Sequence, residues 1–248
     1  MAEQSRFNSV AIQYAAGRPN YPAALFDALG ADLSRPLDGI DALDLGAGTG
    51  IASRQLAERG ARVTALELSG PMLAQLVAES PGVQAVQGSV HALPFRDDTA
   101  DLITCAQAWH WINPEIGVPE VRRVLRPGGI FAAWWNYTHR DSTWEAEQED
   151  RIARAVPNWA EYQTSTNSHK DFDTEGGFGL VVTRHEFNWE RDIPVERHLQ
   201  NLNSKSYIAE LPDPAAFLAV ERELLLDVFP SGVVTERFGT KLVTAREP

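Results

Sequence analysis

Over the first 135 residues, short apolar runs alternate with segments whose apolar positions recur at helical spacing. That alternation is the signature of strand–helix–strand units and hence of a parallel sheet. Residues 42–45 read as a buried strand entering a glycine-rich turn, and 51–59 as the helix after it, stopped by Gly60. A second strand is expected over 62–68. The next helix runs over 71–79, with Ser69 as N-cap and Pro71 in the first turn. Strands follow at 83–87 and 101–106, then a helix over 115–125 closed by Arg126-Pro127-Gly128-Gly129, then a fifth strand over 130–135.

The second half is less regular. Helices are expected over 143–156, 195–202 and 214–228, and strands over 180–189 and 233–244, the last with a bulge at Gly239. Residues 157–179 are polar and glycine-bearing, the composition of a loop or lid. No clean boundary appears. The expectation is one domain over 1–248, with an N-terminal helical cap (1–30), a cofactor-binding core (31–136) and an acceptor-side insertion with C-terminal strands (137–248).

Composition narrows the partners. Hydrophobic residues make up 44% and charged residues 23% of the 248, which excludes wholesale disorder. The formal net charge of −12 repels phosphate backbones and acidic membranes, so neither nucleic acid nor membrane is an expected partner. The one cysteine, Cys105, permits no intrachain disulfide and no Cys-based zinc site, and the histidines show no metal-ligand spacing, so no metal is expected. The first residues lack the basic and apolar regions of a signal peptide, and no apolar run reaches the roughly 18 residues of a membrane span. These features suit a cytoplasmic protein, monomer or homodimer, acting on a small molecule.

Asp44-Leu45-Gly46-Ala47-Gly48-Thr49-Gly50 carries the first chemistry. Glycines at this spacing let the chain turn sharply from strand to helix and let a ligand touch bare backbone. Glu67 ends the next strand, where a carboxylate can accept hydrogen bonds from both ribose hydroxyls; turn and acid together imply an adenosine-containing cofactor. Dinucleotide enzymes favour G-x-G-x-x-G, whereas this turn is G-x-G-x-G with Asp44 two residues before the first glycine. Asp44 either fixes the loop or meets the ammonium of an amino-acid cofactor.

Here the chain resembles the class I S-adenosylmethionine-dependent methyltransferases of the small-molecule type 11 kind. The resemblance covers roughly residues 5–136 and rests on five blocks in order. These are Leu43 to Gly50, Ala65-Leu66-Glu67-Leu68-Ser69 with Met72-Leu73, Gly88 to Phe95, Asp101-Leu102-Ile103, and Leu125 to Gly129. It implies an α/β, Rossmann-like fold: a mostly parallel seven-stranded sheet with helices on both faces. It also implies S-adenosyl-L-methionine as cofactor. Carried over by position, Gly46, Ala47 and Gly48 line the methionine and ribose portions, Glu67 holds the ribose, and Leu68 packs on the adenine. Ser89 and Val90 lie along the adenine edge, and Ala106 and Gln107 approach the methionine end. The Pro-Gly-Gly turn marks the topology and binds nothing.

A second pattern, Phe7, Tyr14, Arg18, Pro19, Tyr21 and Pro22, precedes the core. Tyr14 and Arg18 share a helix face at spacing four, and an Arg can clamp a carboxylate. The resemblance makes this a cap over the cofactor, with Phe7 toward the acceptor. The block is similar to small-molecule methyltransferases of bacteria and fungi, including those acting on trans-aconitate or on an azapteridine ring nitrogen. N-methylation of an azapteridine is therefore the first expectation, and O- or C-methylation of another metabolite, such as a carboxylic acid, the alternative. An NAD-dependent oxidoreductase is disfavoured by the glycine spacing, and a non-catalytic partner subunit by the intact turn, acid and cap.

The acceptor side is read from aromatics at the carboxyl ends of strands, where ligands sit in open α/β sheets. Trp109, His110 and Trp111 follow the fourth strand, and Trp134, Trp135 and Asn136 end the fifth. Four of the seven tryptophans in two places suit a flat acceptor stacked between rings, and rings also attract a sulfonium. Alternation sends Trp134 to the opposite face from Trp135, toward the core. His110, Trp111 and Asn136 are the catalytic candidates, His110 as base or as orienter. Phe7, Trp109, His110, Trp111, Trp135, Asn136 and Tyr207 are the substrate-binding candidates. A displacement by a good nucleophile needs little acid–base chemistry, so rate is expected from alignment and desolvation.

Overall fold

In the computed structural model, residues 18–139, 142–157, 159 and 179–248 are described. Seven strands form one sheet: β1 (Asp41–Leu45), β2 (Arg62–Glu67), β3 (Gln84–Gln87), β4 (Ala100–Ala106), β5 (Leu125–Thr138), β6 (Val181–Pro194) and β7 (Val233–Arg246). Their order is β3-β2-β1-β4-β5-β7-β6. The pairs β1–β2, β1–β4, β2–β3 and β4–β5 are parallel. β7 runs against both neighbours. Asn136 meets Thr240 while the His139 amide donates to the Arg237 carbonyl, and Arg191 meets Glu236 while Asp192 meets Thr235. The expected mostly parallel seven-stranded sheet is present.

Helices α1 (Ala23–Asp32), α2 (Ile51–Ala57), α3 (Gly70–Glu79) and α4 (Pro114–Val124) accompany the parallel strands. Further on come α5 (Thr143–Ala155), α6 (Val195–Asn203), α7 (Ser206–Ala209) and α8 (Pro214–Val228). Helix starts follow local chemistry. The Ser69 hydroxyl accepts the Met72 amide at 3.4 Å, Asn113 accepts from Glu115 at 3.0 Å, and Asp213 accepts from Ala216 at 2.9 Å. None of the described helices is long and apolar enough to cross a membrane.

Two compact units divide the described residues. One holds 20–136, 179–187 and 240–248, the other 18–19, 137–139, 142–157, 159 and 188–239. In the first, the two-residue alternation of the central strands sorts side chains onto two faces. Leu102, Ile130, Ala132 and Trp134 pack with Leu25, Phe26 and Leu29 of α1 and Ala52 and Leu56 of α2. Ile103, Cys105, Phe131, Ala133 and Trp135 pack with Val118, Val121 and Val124 of α4.

Two expectations change. Ala100 pairs with Leu125 and Leu102 with Ile130, so pairing resumes directly after α4 and residues 126–129 bulge opposite Asp101 alone. Arg126 reaches from that bulge to Asp41 at 2.8 Å and Asp101 at 2.9 Å, and Asp101 also binds Arg35. The block expected as a plain helix stop is thus a bulge pinned by ion pairs. Gly239, expected at a bulge, lies where β7 keeps one register against β5 on both sides. An added Cβ there would sit 2.0 Å from the Tyr137 ring, so the glycine makes room for an aromatic lying on the strand.

The second unit combines two apolar clusters with buried charge. Ile152, Val156, Leu202, Ile208 and Leu211 form one cluster, Val195, Leu199, Leu225 and Val234 the other. Glu221 is fully buried and holds Arg151 at 2.5 and 3.0 Å and the Gln148 amide at 2.9 Å. Gln148 passes the chain to His198 at 3.2 Å, which meets Glu236 at 2.6 Å, itself paired with Arg191. Removing one member of such a pair strands a buried charge. Arg151→Ala is therefore expected to cost about 3 kcal/mol or more in urea denaturation, with Arg151→Lys intermediate.

Candidate active site

The carboxyl ends of β1, β2 and β4 converge on the glycine turn. Asp44, the last polar residue of β1, is fully buried. Ser53 of α2 donates to it at 2.6 Å and Thr104 of β4 at 2.8 Å. Of the two tasks open to Asp44, this geometry performs the first: it fastens the strand below the turn to the following helix and the neighbouring strand. Burial pushes its carboxyl up to about 6, against the lowering effect of the two hydroxyls, and the nearby Glu67 charge adds to the rise.

Above Asp44, Gly46 and Gly48 take φ of +60° and +57°, the left-handed region that glycine enters without strain. An added Cβ at Gly46 would lie 2.8 Å from the Ala108 Cβ, whereas at Gly48 it would project into open space. The Glu67 carboxylate accepts the Gly48 amide at 2.9 Å and the Ser69 amide at 2.7 Å, one bond on each oxygen. A carboxylate offers about four lone-pair sites, so two remain for outside donors. Leu68, the next residue, is 50% exposed. Bare backbone over open space, a half-used carboxylate and an exposed apolar side chain form a donor set that fits an adenosyl group. Ser89 is half-buried and Val90 buried, and the Ser89 hydroxyl accepts the His91 amide at 3.2 Å. Ala106 and Gln107 are half-buried at the end of β4, and Gln107 has φ +59° with its amide on the Trp134 carbonyl at 2.9 Å.

The aromatic candidates separate. Trp134 is fully buried, edge-on to Tyr21 and Phe26, as its alternation required. Trp109 is 2% exposed and packs on Phe131 at 4.7 Å. Trp135 is also buried, with its indole N–H donating to His110 Nδ1 at 3.4 Å. The His110 ring lies 4.6 Å from that of Trp111, which is 52% exposed. Asn136 uses its side-chain oxygen to accept the Thr240 hydroxyl at 2.7 Å.

Tyr207 and Arg18 fall in the other unit, where Tyr207 packs on Trp159 at 4.9 Å and Arg18 is half-buried. Phe7 and Tyr14 lie outside the described residues. Sequence reasoning missed Thr49, whose buried hydroxyl has no partner among the described residues. An unpartnered hydroxyl in a glycine turn suits a ligand contact, and its signal was only its place between two glycines. It also missed Ser53 and Thr104, whose small hydroxyls carry no motif.

The chain is similar to known methyltransferases in sequence and in fold. The family model described as a methyltransferase domain matches residues 43–133. An uncharacterized methyltransferase of Mycobacterium tuberculosis is 33% identical over 206 residues, covering 83% of this chain and 79% of that protein. An uncharacterized methyltransferase-like protein of Schizosaccharomyces pombe is 30% identical, covering 86% and 83%. Among solved structures, one described as a Type II methyltransferase from Anaeromyxobacter dehalogenans superposes with a TM-score of 0.70 at 25% identity, covering 93% of this chain and 97% of that one.

The Asp44 carboxyl yields a pH prediction. Because its folded value is raised to about 6, its favourable contribution is full below the unfolded value near 3.8 and is lost as pH rises through 6. Asp44→Asn removes that dependence. Relative to the parent chain, the variant is expected to gain on the order of 2–3 kcal/mol between pH 4 and pH 7, read from urea midpoints.

Proposed function

The chain belongs to the class I S-adenosylmethionine-dependent methyltransferases, and we propose that within this family it N-methylates a small heteroaromatic molecule, an azapteridine of the kind built in toxoflavin biosynthesis. The observation that carries the reading is the half-exposed Trp111 beside His110 in the turn after β4, a segment whose Ala108 lies against Gly46 of the glycine turn. A flat ring system finds a π-face there, and stacking on it holds the ring plane fixed.

When bound, S-adenosylmethionine supplies an electrophilic methyl group on a sulfonium. The protein's part is to hold, orient and exclude water. In this reading Gly46, Ala47 and Gly48 give bare backbone to the cofactor, with Asp44 as the fastening beneath them. Glu67 accepts the ribose hydroxyls on its two unused lone-pair sites. Leu68, Ser89 and Val90 border the adenine, and Ala106 and Gln107 face the methionine end. On the acceptor side Trp111 stacks, His110 and Asn136 orient, and Trp135 supports His110. The division into cap, cofactor core and acceptor-side segment belongs to the same proposal, as does a cytoplasmic role in secondary metabolism.

Calorimetry and an acceptor panel test this. S-Adenosylhomocysteine is expected to bind and NAD is not. Azapteridines are expected to gain one methyl on nitrogen in mass spectra, ahead of carboxylic acids; the reverse order discards the proposed substrate. Glu67→Ala is expected to weaken S-adenosylhomocysteine at least about tenfold, since a hydrogen bond to a charged group contributes about 1.5–3 kcal/mol. Unchanged affinity in a folded variant removes Glu67 from the cofactor's contacts.

A further inference from the structure

Trp134 and Trp135 are adjacent on β5, and alternation gives them opposite faces. Trp134 joins the α1–α2 side of the sheet, while Trp135 joins the α4 side, as does Trp109 of the 3-10 turn Trp109–Trp111. Trp135 therefore stands on the face that carries His110, and its indole N–H points at His110 Nδ1 at 3.4 Å.

The chemistry of that contact is one-sided. An indole nitrogen only donates, so Nδ1 must present its lone pair. A neutral imidazole carries one N–H, and with Nδ1 accepting, that hydrogen resides on Nε2. Protonating the ring would set N–H against N–H across this contact. Acting as a base through Nε2 would require moving the ring hydrogen to Nδ1, against the same indole.

We propose that Trp135 is a positioning residue that locks His110 in the neutral Nε2–H tautomer, barring it from service as the base and restricting the enzyme to acceptors that are nucleophilic without losing a proton first. The proposal rests on the methyltransferase reading above. It selects planar acceptors with a free ring-nitrogen lone pair over phenols and N–H acids. In the transfer, the acceptor lone pair forms the new bond to the methyl carbon as the carbon–sulfur bond breaks, with that bond's electron pair staying on sulfur. The product nitrogen takes up the positive charge, and no proton has to leave.

The test uses the full chain, ¹⁵N-labelled at histidine and loaded with S-adenosylhomocysteine. Long-range ¹H–¹⁵N spectra at neutral pH are expected to show His110 Nδ1 unprotonated and Nε2 protonated. In Trp135→Phe the lock is gone, and the two tautomers are expected to mix. A protonated Nδ1 in the parent chain overturns the proposal without any variant, and so does an unchanged tautomer in a folded Trp135→Phe. A second arm supplies S-adenosylmethionine with isoquinoline, whose ring nitrogen is free, or 2-naphthol, a matched ring whose hydroxyl must lose its proton. Methylation of isoquinoline is expected to be faster by about a hundredfold or more, the scale of one general-base contribution. Equal rates, faster 2-naphthol, or methylation of neither overturns the acceptor class. Failure to bind S-adenosylhomocysteine at all overturns the methyltransferase reading instead, since the parent chain's tautomer can still be read without it.

Discussion

The buried Asp44 carboxylate is the fastening on which the site depends. Its two oxygens tie β1 to Ser53 on α2 and Thr104 on β4, directly below the glycine turn. Three elements that must converge at one point are thereby fixed by charge-assisted hydrogen bonds, which are stronger than neutral ones. The cost is desolvation, visible in the carboxyl raised to about 6. A hydrophobic residue would remove that cost and also the directional hold on both neighbours. The Glu67 carboxylate repeats the device one layer higher, taking an amide from the turn and another from the start of α3.

Those two acids divide the labour. Asp44 spends its side chain wholly on the protein, while Glu67 spends half and leaves half. The difference follows from position: Asp44 lies within β1 and is sealed by packing, whereas Glu67 is the last residue of β2, where the sheet ends and ligands gather. The tryptophans sort by the same rule. Trp134 fills the core, Trp109 and Trp135 are buried on the other face, and Trp111, outermost on its turn, is left half in solvent. Trp135 reaches His110 through its indole N–H.

The unit holding α5, α6 and α8 is stabilised differently. Its helices enclose a run of carboxylates, guanidinium groups, an imidazole and an amide, from Arg151 through Glu221, Gln148 and His198 to Glu236 and Arg191. Buried ion pairs of this sort are a poor source of net stability but penalise every packing that leaves one of them unmatched.

The parallel half of the fold was legible in the chain because its determinants are local. Period-two apolar runs, the glycines of the first turn and Ser69 before Pro71 all act within a few residues. The family resemblance carried the seven-stranded sheet from the same blocks. Much of the candidate site was legible for the same reason, since Gly46, Gly48 and Glu67 sit at fixed offsets from strand ends. What the sequence could not decide was set by contacts between distant segments. Whether Asp44 faces a ligand or the protein depends on Thr104, 60 residues away in the chain. Whether 126–129 is a turn or a bulge depends on Asp41 and Asp101. Gly239 reads as a kink until Tyr137 is seen lying on it. The state of His110 was the last such choice: its neighbours in sequence allow a base or an orienter, and only the register of β5 against β4 brings Trp135 to its Nδ1. Local patterns reveal what a residue is free to do; which of those options it takes is fixed by the partner that tertiary packing places beside it.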